Sequence, residues 1–592
     1  MMLFGLAPLD LAVIVGYFVV VMGVGFWAST RVHTDEDYFL GGRKFGKGLL
    51  LMHWLCTGTH SDMAVQTAGA CARVGLGGIW YQWMYLFSTP FYWLIGPMVR
   101  RLRVVTTGDV YRIRYGIGLE IFASTVAMLY LVLSIALLLR GAGELIAGVT
   151  GGALATQTSV IVLALLFSTY VMTGGLMAAA YTDFLQGLML IVLSVLLVPV
   201  GLNALGGVTA LAATDPAKLA ITAPLGSREG DPFFVLAMSV LGLVGIVAQP
   251  HVMTANGSGK SEHESRVGMC YGNFVKRLLT IAWAFTGLVA ILLFPQILAG
   301  LDPAGEAAKQ ASEKLYGLAI RELMGDGWRG LMIACIVAGV TSGEALMVVG
   351  AGVFTRNFYI HVARNSTDRQ RLWVGRAASF GILLLGIALA LGAHSVTALY
   401  VASVKVIALL GPVFWLGVTW RPANSWGAWS SIVAGAALWG ATSIPSAWLE
   451  GLPLLQNVIG SYVSQPEPIR ILIQLTAQFG ALIGISLLTG MKPKAQLDPF
   501  FARLLTPVGR EDEMALSAVP TQFAAEAGLG LASPGLDYQK ASVLGYSTAR
   551  RLGLEMPRMG LAEWGGFIVA WVTVGGLLGL LYGLSAYALR QR

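Results

Sequence analysis

The chain is dominated by long apolar runs that are separated by short polar or basic segments. A helix needs about 20 mostly apolar residues to cross the hydrocarbon core of a bilayer. The pattern therefore predicts an all-α membrane protein with about 14 transmembrane helices. The predicted spans cover residues 8–29, 48–72, 78–99, 119–147, 156–175, 178–204, 232–255, 274–299, 328–354, 372–394, 396–420, 425–444, 469–490 and 562–588.

The basic residues predict the orientation of these spans, because Lys and Arg are enriched in cytoplasmic loops. With the N-terminus outside, the inside loops hold Arg31, Arg43, Lys44, Lys47, Arg100, Arg101, Arg103, Arg112, Arg114, Lys260, Arg266, Lys276, Arg277, Arg356, Arg364, Arg369, Arg371 and Arg376. An even number of spans keeps this alternation and places both termini outside. The first apolar run lacks the basic n-region and cleavage site of a signal peptide, so we expect it to be a retained helix.

Composition supports a multi-pass protein of the cell membrane that contacts the lipid bilayer. Only 12% of the 592 residues are charged, whereas soluble proteins carry about 25%. The net charge of +8 lies in loops beside apolar runs, which suits an anionic membrane surface rather than nucleic acid. The four cysteines show no paired spacing, so neither a disulfide framework nor a metal site is expected.

Two spans are interrupted by polar residues. The second span contains the run Gly58-Thr59-His60-Ser61-Asp62-Met63, and the seventh contains Gln249-Pro250-His251. A carboxylate in the middle of a membrane is costly unless it lines a cavity, and Pro250 removes a backbone donor. Interrupted helices at corresponding places in two halves indicate the central site of a transporter. The alternative is a hydrogen-bonded kink without a binding role.

The ninth span carries a stripe of small and hydroxylated residues. Ala338, Thr341, Ser342 and Ala345 follow the spacing i, i+3, i+4, i+7 and so share one helix face. Two adjacent hydroxyls on such a face suit a small hard cation, which prefers oxygen ligands. Hydrogen bonding between packed helices is the alternative interpretation.

Four motifs in order along the chain resemble the sodium/solute symporter family, which includes the sodium/proline, sodium/pantothenate and sodium/glucose cotransporters. They are Asp37-Tyr38-Phe39-Leu40-Gly41-Gly42-Arg43; Thr173-Gly174-Gly175 with Tyr181-Thr182-Asp183-Phe184-Leu185-Gln186-Gly187; Gln249-Pro250-His251; and Gly411-Pro412-Val413 with Trp420. The resemblance extends over roughly residues 8–490.

The resemblance implies a leucine-transporter-like core of two inverted five-helix repeats. The expected organisation is a first helix with its inside loop (1–47), the first repeat (48–204), an outside loop (205–231), the second repeat (232–420), two additional helices (421–490), a cytoplasmic linker (491–561) and a last helix (562–592).

The resemblance also implies a sodium site. Its ligands would be the backbone carbonyls of His60, Met63 and Ala338 and the hydroxyls of Thr341 and Ser342, and the imidazole of His60 departs from the usual small residue. Asp183 and Glu344 would hold a second cation or a proton, or Glu344 would form a structural pair with a cation. Some relatives use further hydroxyls for a second sodium, and this chain has Glu344 and Ala345 there.

The resemblance to the sugar transporters of the family further implies a substrate site at Thr67, Gln82, Tyr85 and Lys405, to which the two interrupted spans add Asp62 and Gln249. Lys405 lies in the middle of the eleventh span, where a lysine needs a partner. It is either a counter-charge for an acidic solute or an internal partner of a carboxylate such as Glu344.

The sequence therefore predicts a sodium-coupled secondary symporter that imports a small polar solute by alternating access, most simply as a monomer. A proton-coupled symporter and a non-transporting solute sensor are the alternatives. No nucleophile–base pair that would indicate an enzyme is evident in the sequence. The residues do not identify the solute.

Overall fold

The computed structural model describes residues 4–32, 35–171, 175–212, 215–223, 230–442, 453–510, 542–543 and 547–590, and these form helices and no β-strand. The helices of the first half are α1 (Pro8–Ser29), α2 (Asp35–Leu40), α3 (Lys47–Thr57), α4 (Ser61–Val74), α5 (Trp80–Trp83), α6 (Thr89–Leu102), α7 (Thr107–Tyr115), α8 (Ile117–Val149), α9 (Thr156–Val171), α10 (Gly175–Leu205), α11 (Val208–Ala212) and α12 (Pro216–Leu219).

The second half begins with another interrupted helix and continues to the end of the described chain. Its helices are α13 (Pro232–Ile246), α14 (Pro250–Gly257), α15 (Glu262–Leu293), α16 (Glu306–Glu313), α17 (Leu315–Leu323), α18 (Trp328–Thr341), α19 (Glu344–Phe354), α20 (Ile360–Val362), α21 (Asp368–Gly392), α22 (Val396–Ala408), α23 (Gly411–Thr419), α24 (Ser425–Ala441), α25 (Pro453–Val463), α26 (Glu467–Thr489), α27 (Lys494–Leu505), α28 (Ser547–Leu552) and α29 (Leu561–Arg590).

Nine helical stretches in the described ranges are long and apolar enough to cross a membrane, counting α18–α20 (Trp328–Val362) and α22–α23 (Val396–Thr419) as one stretch each. The bent pair α13–α14 would make a tenth. The remaining four predicted spans correspond to shorter pieces. Span 48–72 is divided into α3 and α4, span 78–99 is divided into α5 and α6, and α9 and α24 have 16 and 17 residues. The fifth span was predicted to reach residue 175, but residues 172–174 lie outside the described part. A total of 14 spans therefore stays a prediction.

Two groups of packed helices contribute residues to a common cavity. In the first helix group, α15 lies along α3, α4 and α6. In the second helix group, α8 lies along α9, α19 and α21. Small residues allow close approach between helices. An added Cβ at Gly272 of α15 would come within 2.8 Å of the carbonyl oxygen of Leu51 in α3.

The segment after α26 packs against the helix bundle. Phe500 and Phe501 of α27 are buried, and the Arg421 guanidinium, just beyond α23, lies 4.9 Å from the Phe501 ring centroid. The same guanidinium lies 2.7 Å from Asp498 and 2.6 Å from Glu555. Buried aromatic rings and charge-assisted hydrogen bonds hold α27 against the ends of the core helices.

Candidate functional site

The break between α3 and α4 is kept open by residues that do not continue the helix. Gly58 ends α3, and His60 has extended backbone angles (φ −127°, ψ 167°) as the residue that precedes α4. A break inside a membrane protein leaves backbone carbonyls without helical partners. Here the Lys276 ammonium of α15 donates to the carbonyl oxygen of Gly58. The sequence-predicted interruption of this span is therefore present, and a basic side chain occupies it.

The second break separates α13 from α14, which are bent by 56° relative to each other. Gln249 precedes α14 and Pro250 is its first residue, a position where the missing N–H of proline has no cost. The amide nitrogen of Gln249 donates to the Tyr85 hydroxyl at 3.2 Å. The Gln249 side chain at the second break therefore contacts Tyr85, which follows the first interrupted helix in the chain.

A cavity lies between the two breaks. Six of the expected site residues line it: His60, Asp62, Met63, Gln82, Tyr85 and Gln249. Met63 was expected to act through its backbone carbonyl. The cavity wall therefore combines residues of both interrupted helices with residues that follow the first one.

Thr67 does not line the cavity. It is fully buried two turns farther along α4, and its hydroxyl has no hydrogen-bond partner among the described residues. The Gln82 amide nitrogen, at the cavity wall, donates to Gln66, the neighbour of Thr67 in the chain, at 2.7 Å. A contact between Thr67 and a bound solute therefore stays a prediction that the present geometry does not favour.

Two basic residues that we expected in an inside loop are part of the cavity wall. The predicted span started at residue 274, which would put Lys276 and Arg277 at the membrane edge beside the inside loop. Helix α15 instead begins at Glu262, so both residues lie well inside the helix. They are 5% and 1% exposed and both line the cavity. The Arg277 guanidinium donates to the carbonyl oxygen of Gln82 at 3.1 Å and lies 5.4 Å from the Tyr85 ring centroid. The assignment of these two residues to a loop was wrong, because the helix extends well beyond its apolar part.

The predicted sodium ligands lie beside the cavity, where the start of α4 meets the end of α18. The Ser342 hydroxyl lies 3.1 Å from Nδ1 of His60 and donates to the carbonyl oxygen of Gly339. The Thr341 hydroxyl accepts a hydrogen bond from the Gln186 amide at 2.8 Å and lies 3.2 Å from the Tyr17 hydroxyl. The His60 imidazole, which departs from the small residue usual in the family, is therefore in direct contact with one of the two hydroxyls.

Backbone oxygens complete this region. The carbonyl oxygen of His60 accepts a hydrogen bond from the backbone N–H of Met63. The carbonyl oxygen of Ala338 accepts from the backbone N–H of Ser342 and from the Thr341 hydroxyl. Hydroxyl and carbonyl oxygens are the ligands that hard cations prefer. The donor types fit sodium, and the complete ligand set of His60, Met63, Ala338, Thr341 and Ser342 stays a prediction.

Asp183 pairs with a histidine that the sequence analysis did not single out. Oδ2 of Asp183 on α10 lies 2.6 Å from Nδ1 of His53 on α3, and each side chain is 1% exposed. The Cys56 thiol donates to the Asp183 carbonyl oxygen at 3.0 Å. The partners are 130 positions apart, so only the packing of α3 on α10 reveals them. Glu344, the other expected carboxylate, is buried as the first residue of α19.

Lys405 faces away from the cavity. Its ammonium lies 2.6 Å from Oε1 of Glu467, the first residue of α26, and both side chains are partly exposed. Its neighbours Ser403 and Val404 line the cavity instead. Depth along a helix does not fix the direction of a side chain, because each residue turns it by about 100°. Lys405 thus has a carboxylate partner, as the internal-pair alternative expected, but the partner is Glu467 and not Glu344. Its role as a counter-charge for the solute stays a prediction that this geometry does not favour.

Comparisons with known proteins identify the family of this chain. A family model described as the sodium:solute symporter family matches residues 38–435. The chain is 26% identical over 475 residues to sodium/myo-inositol cotransporter 2 of Mus musculus, covering 73% of this chain and 69% of that protein. It is 26% identical over 479 residues to sodium/glucose cotransporter 1 of Oryctolagus cuniculus, covering 72% and 70%.

The fold is shared with a solved transporter. The structure of a Na+-coupled sialic acid symporter in a substrate-bound outward-open state superposes with a TM-score of 0.65 at 18% identity, covering 81% of this chain and 98% of the other. At this identity the likeness concerns the fold. The family model, by contrast, spans both helix breaks and the hydroxyl pair. The chain belongs to the sodium:solute symporter family.

Proposed function

We propose that this protein is a sodium-coupled secondary active symporter that imports a small polar solute by alternating access. The observation that carries the proposal is the cavity between two broken helices, with charged and polar walls and a cluster of oxygen ligands beside it. Broken helices around a central site are the arrangement that secondary transporters use to bind substrate and ion together.

The two ligands would be coupled through the helix groups. His60 belongs to the first helix group, whereas Thr341 and Ser342 end α18, which packs against α8 of the second. A sodium ion held by both would favour one relative position of the groups. Tyr400 lies on α22, which packs against α8 of the second group. A solute that contacts α4 and α15 on one side of the cavity and Tyr400 on the other side would favour the same relative position of the groups. Each ligand would then strengthen binding of the other.

Movement of one helix group against the other would expose the cavity alternately to each side of the membrane. The inward sodium gradient and the membrane potential would drive uptake, and the potential supplies about 2.3 kcal/mol per charge per 100 mV. The proposal includes the cell membrane as location, both termini outside, a monomer as the functional unit and the two inverted repeats of residues 48–204 and 232–420.

The best test is counterflow in proteoliposomes that contain the purified chain. Labelled sugars, polyols, amino acids and organic acids would be compared with and without sodium, at fixed pH and membrane potential. Accumulation of at least one solute that requires sodium supports the proposal. Counterflow that is equal in sodium and in choline, together with dependence on a pH gradient, would replace it with proton coupling.

Proton coupling is the second candidate, and the buried pair of His53 and Asp183 favours it. A histidine and a carboxylate in contact can exchange and hold a proton near neutral pH. The pair lies on α3 and α10, one turn from the break that borders the cavity. Asp183 would then carry a proton, whereas in a sodium-only transporter it would be a cation ligand or a structural residue.

We expect the substitution Asp183→Asn to change either the sodium Hill coefficient or the pH profile of uptake. The amide removes the negative charge that a cation or a proton needs, and it changes the 2.6 Å contact with His53. The companion variant His53→Asn separates the roles: a proton-carrying pair predicts altered pH profiles in both variants, whereas a cation ligand predicts a lower Hill coefficient in Asp183→Asn alone. Wild-type values for both quantities in Asp183→Asn would make Asp183 structural.

The substitution Lys405→Met should leave the apparent affinity for solute within about twofold of wild type. Only the partly exposed contact with Glu467 is lost, and exposed ion pairs contribute about 1 kcal/mol or less. Lys276→Met provides the matched comparison, since it removes a lysine that lines the cavity. A loss of affinity in Lys405→Met as large as that in Lys276→Met would return Lys405 to the substrate site.

A further inference from the structure

The wall of the cavity carries more positive than negative charge. Lys276 and Arg277 contribute two cations, and Asp62 is the one carboxylate among the described residues that line the cavity. All three are at most 5% exposed. An uncompensated charge in a membrane interior is strongly unfavourable, and such residues normally acquire a partner of opposite sign.

In the described chain, the two cations are hydrogen-bonded to backbone carbonyl groups and not to carboxylates. Lys276 donates to the carbonyl of Gly58 and Arg277 to the carbonyl of Gln82. No Asp or Glu oxygen of the described chain lies within 4.0 Å of either side-chain nitrogen. Nε of Arg277 has no hydrogen-bond partner in the described chain. A guanidinium has five N–H donors in a planar fork that matches a carboxylate, so this side chain has capacity for an anion.

Other charges nearby do not cancel this excess. Asp183 is already in contact with His53, on the side of α3 that packs against α10. A sodium ion at the proposed site beside Thr341 would add a further positive charge. An incoming anion would therefore be stabilised by the wall and by the coupled ion together.

Other polar atoms of the wall also lack hydrogen-bond partners within the described chain. They include Oδ1 of Asp62, Oε1 of Gln82 and Nδ1 of His251, and all three residues line the cavity and are at least nine-tenths buried. Buried polar atoms are normally hydrogen-bonded. The oxygens of Asp62 and Gln82 can accept hydrogen bonds from solute hydroxyl groups. The N–H groups of Lys276 and Arg277 beside them can donate to an anionic group of the same solute.

We propose that the solute is a small polyhydroxylated carboxylate, which rests on the proposed transport function. Its carboxylate is held by Lys276 and Arg277, and its hydroxyls by Asp62, Gln82 and His251. The solute carboxylate and Asp62 then balance the two cations of the cavity wall, before the charge of the adjacent sodium ion is counted. A neutral sugar of the same shape would leave one buried cation uncompensated.

Matched pairs of probes test this assignment in the full-length purified chain. D-glucuronate is compared with D-glucose, and glycerate with glycerol, since each pair differs by a carboxylate in place of a hydroxymethyl group. Thermal stabilisation of the protein in detergent reports binding, and counterflow in proteoliposomes reports transport, both with and without sodium. We expect at least one anion to bind about tenfold or more tightly than its neutral partner, a difference of about 1.4 kcal/mol.

Variants of Arg277 make the test specific. Arg277→Gln should remove most of the preference for the anion, whereas Arg277→Lys keeps the charge and should retain part of it. The ratio within a pair is the readout, so a general loss of stability does not mimic the effect. Arg321→Gln on α17 removes a half-exposed charge that does not line the cavity, and it serves as the control with wild-type preference.

The outcomes separate the two proposals. Preference for the neutral member of a pair, binding of neither anion, or an unchanged ratio in Arg277→Gln overturns the carboxylate assignment. Binding of an anion whose counterflow is indifferent to sodium would retain the assignment and overturn sodium coupling. Sodium-dependent counterflow of glucose alone would retain sodium coupling and overturn the assignment.

Discussion

Replacing Thr341 and Ser342 by alanine together is expected to abolish the stimulation of uptake by sodium. The two hydroxyls lie at the end of α18 and contact His60 of the first broken helix and Gln186 of α10. They would supply two of about five oxygen ligands to the ion. If each contributes about 1.4 kcal/mol, the apparent affinity for sodium falls by about a hundredfold. Sodium dependence of initial uptake rates in proteoliposomes measures the effect.

A buried hydroxyl elsewhere provides the control for this double substitution. Thr286→Ala on α15 removes a hydroxyl that donates to the carbonyl of Ala282 in its own helix, so its sodium dependence should match wild type. Gln186→Ala should weaken sodium binding less than the double variant, because it orients Thr341 without being an expected ligand. Undiminished sodium dependence in a folded Thr341→Ala, Ser342→Ala protein would remove the site from this position.

The positions of the helix breaks could be predicted because their causes are local. Gly58 with its polar neighbours and Pro250 interrupt the helical hydrogen-bond pattern wherever the rest of the chain lies. The same local chemistry placed Asp62 and Gln249 beside the cavity. The small-residue spacing that brought Thr341 and Ser342 to one helix face is also a property of a single helix.

The partners of Asp183 and Lys405 could not be predicted, because they come from distant parts of the chain. Asp183 contacts His53 across 130 positions, and Lys405 reaches Glu467 on α26. Hydropathy gives the depth of a residue in the membrane but not the direction of its side chain. For Lys276 the polar start of α15 concealed the helix, since a basic pair near an apolar boundary also fits a cytoplasmic loop.

One sequence signal could have identified Lys276 and Arg277. Residues 262–293 alternate polar and apolar positions with a helical period, which extends the helix far beyond its apolar part. No acidic residue lies within ten positions of the basic pair. A basic pair on a long helix without a local acidic partner indicates a buried role, and the carbonyls of the broken α3–α4 helix supply it.

The contact between α8 and the first broken helix leads to a prediction that does not depend on the ion or the solute. Gly141→Ala is expected to reduce uptake by about tenfold or more while the protein still inserts. An added Cβ would lie 2.3 Å from Cβ and 2.5 Å from Cα of Asp62, so the backbones of α8 and α4 must separate. Overpacking of this kind costs about 1–3 kcal/mol, and the separation of the two helices would displace Asp62, the carboxylate of the cavity wall.

The control is Gly381→Ala on α21, where an added Cβ meets nothing within 4 Å and a helical alanine adds about 0.5–1 kcal/mol of stability. Uptake rates and melting temperatures of the two variants are compared in the same membrane preparation. If Gly141→Ala transports as well as Gly381→Ala, then α8 and α4 do not need this close contact during the transport cycle.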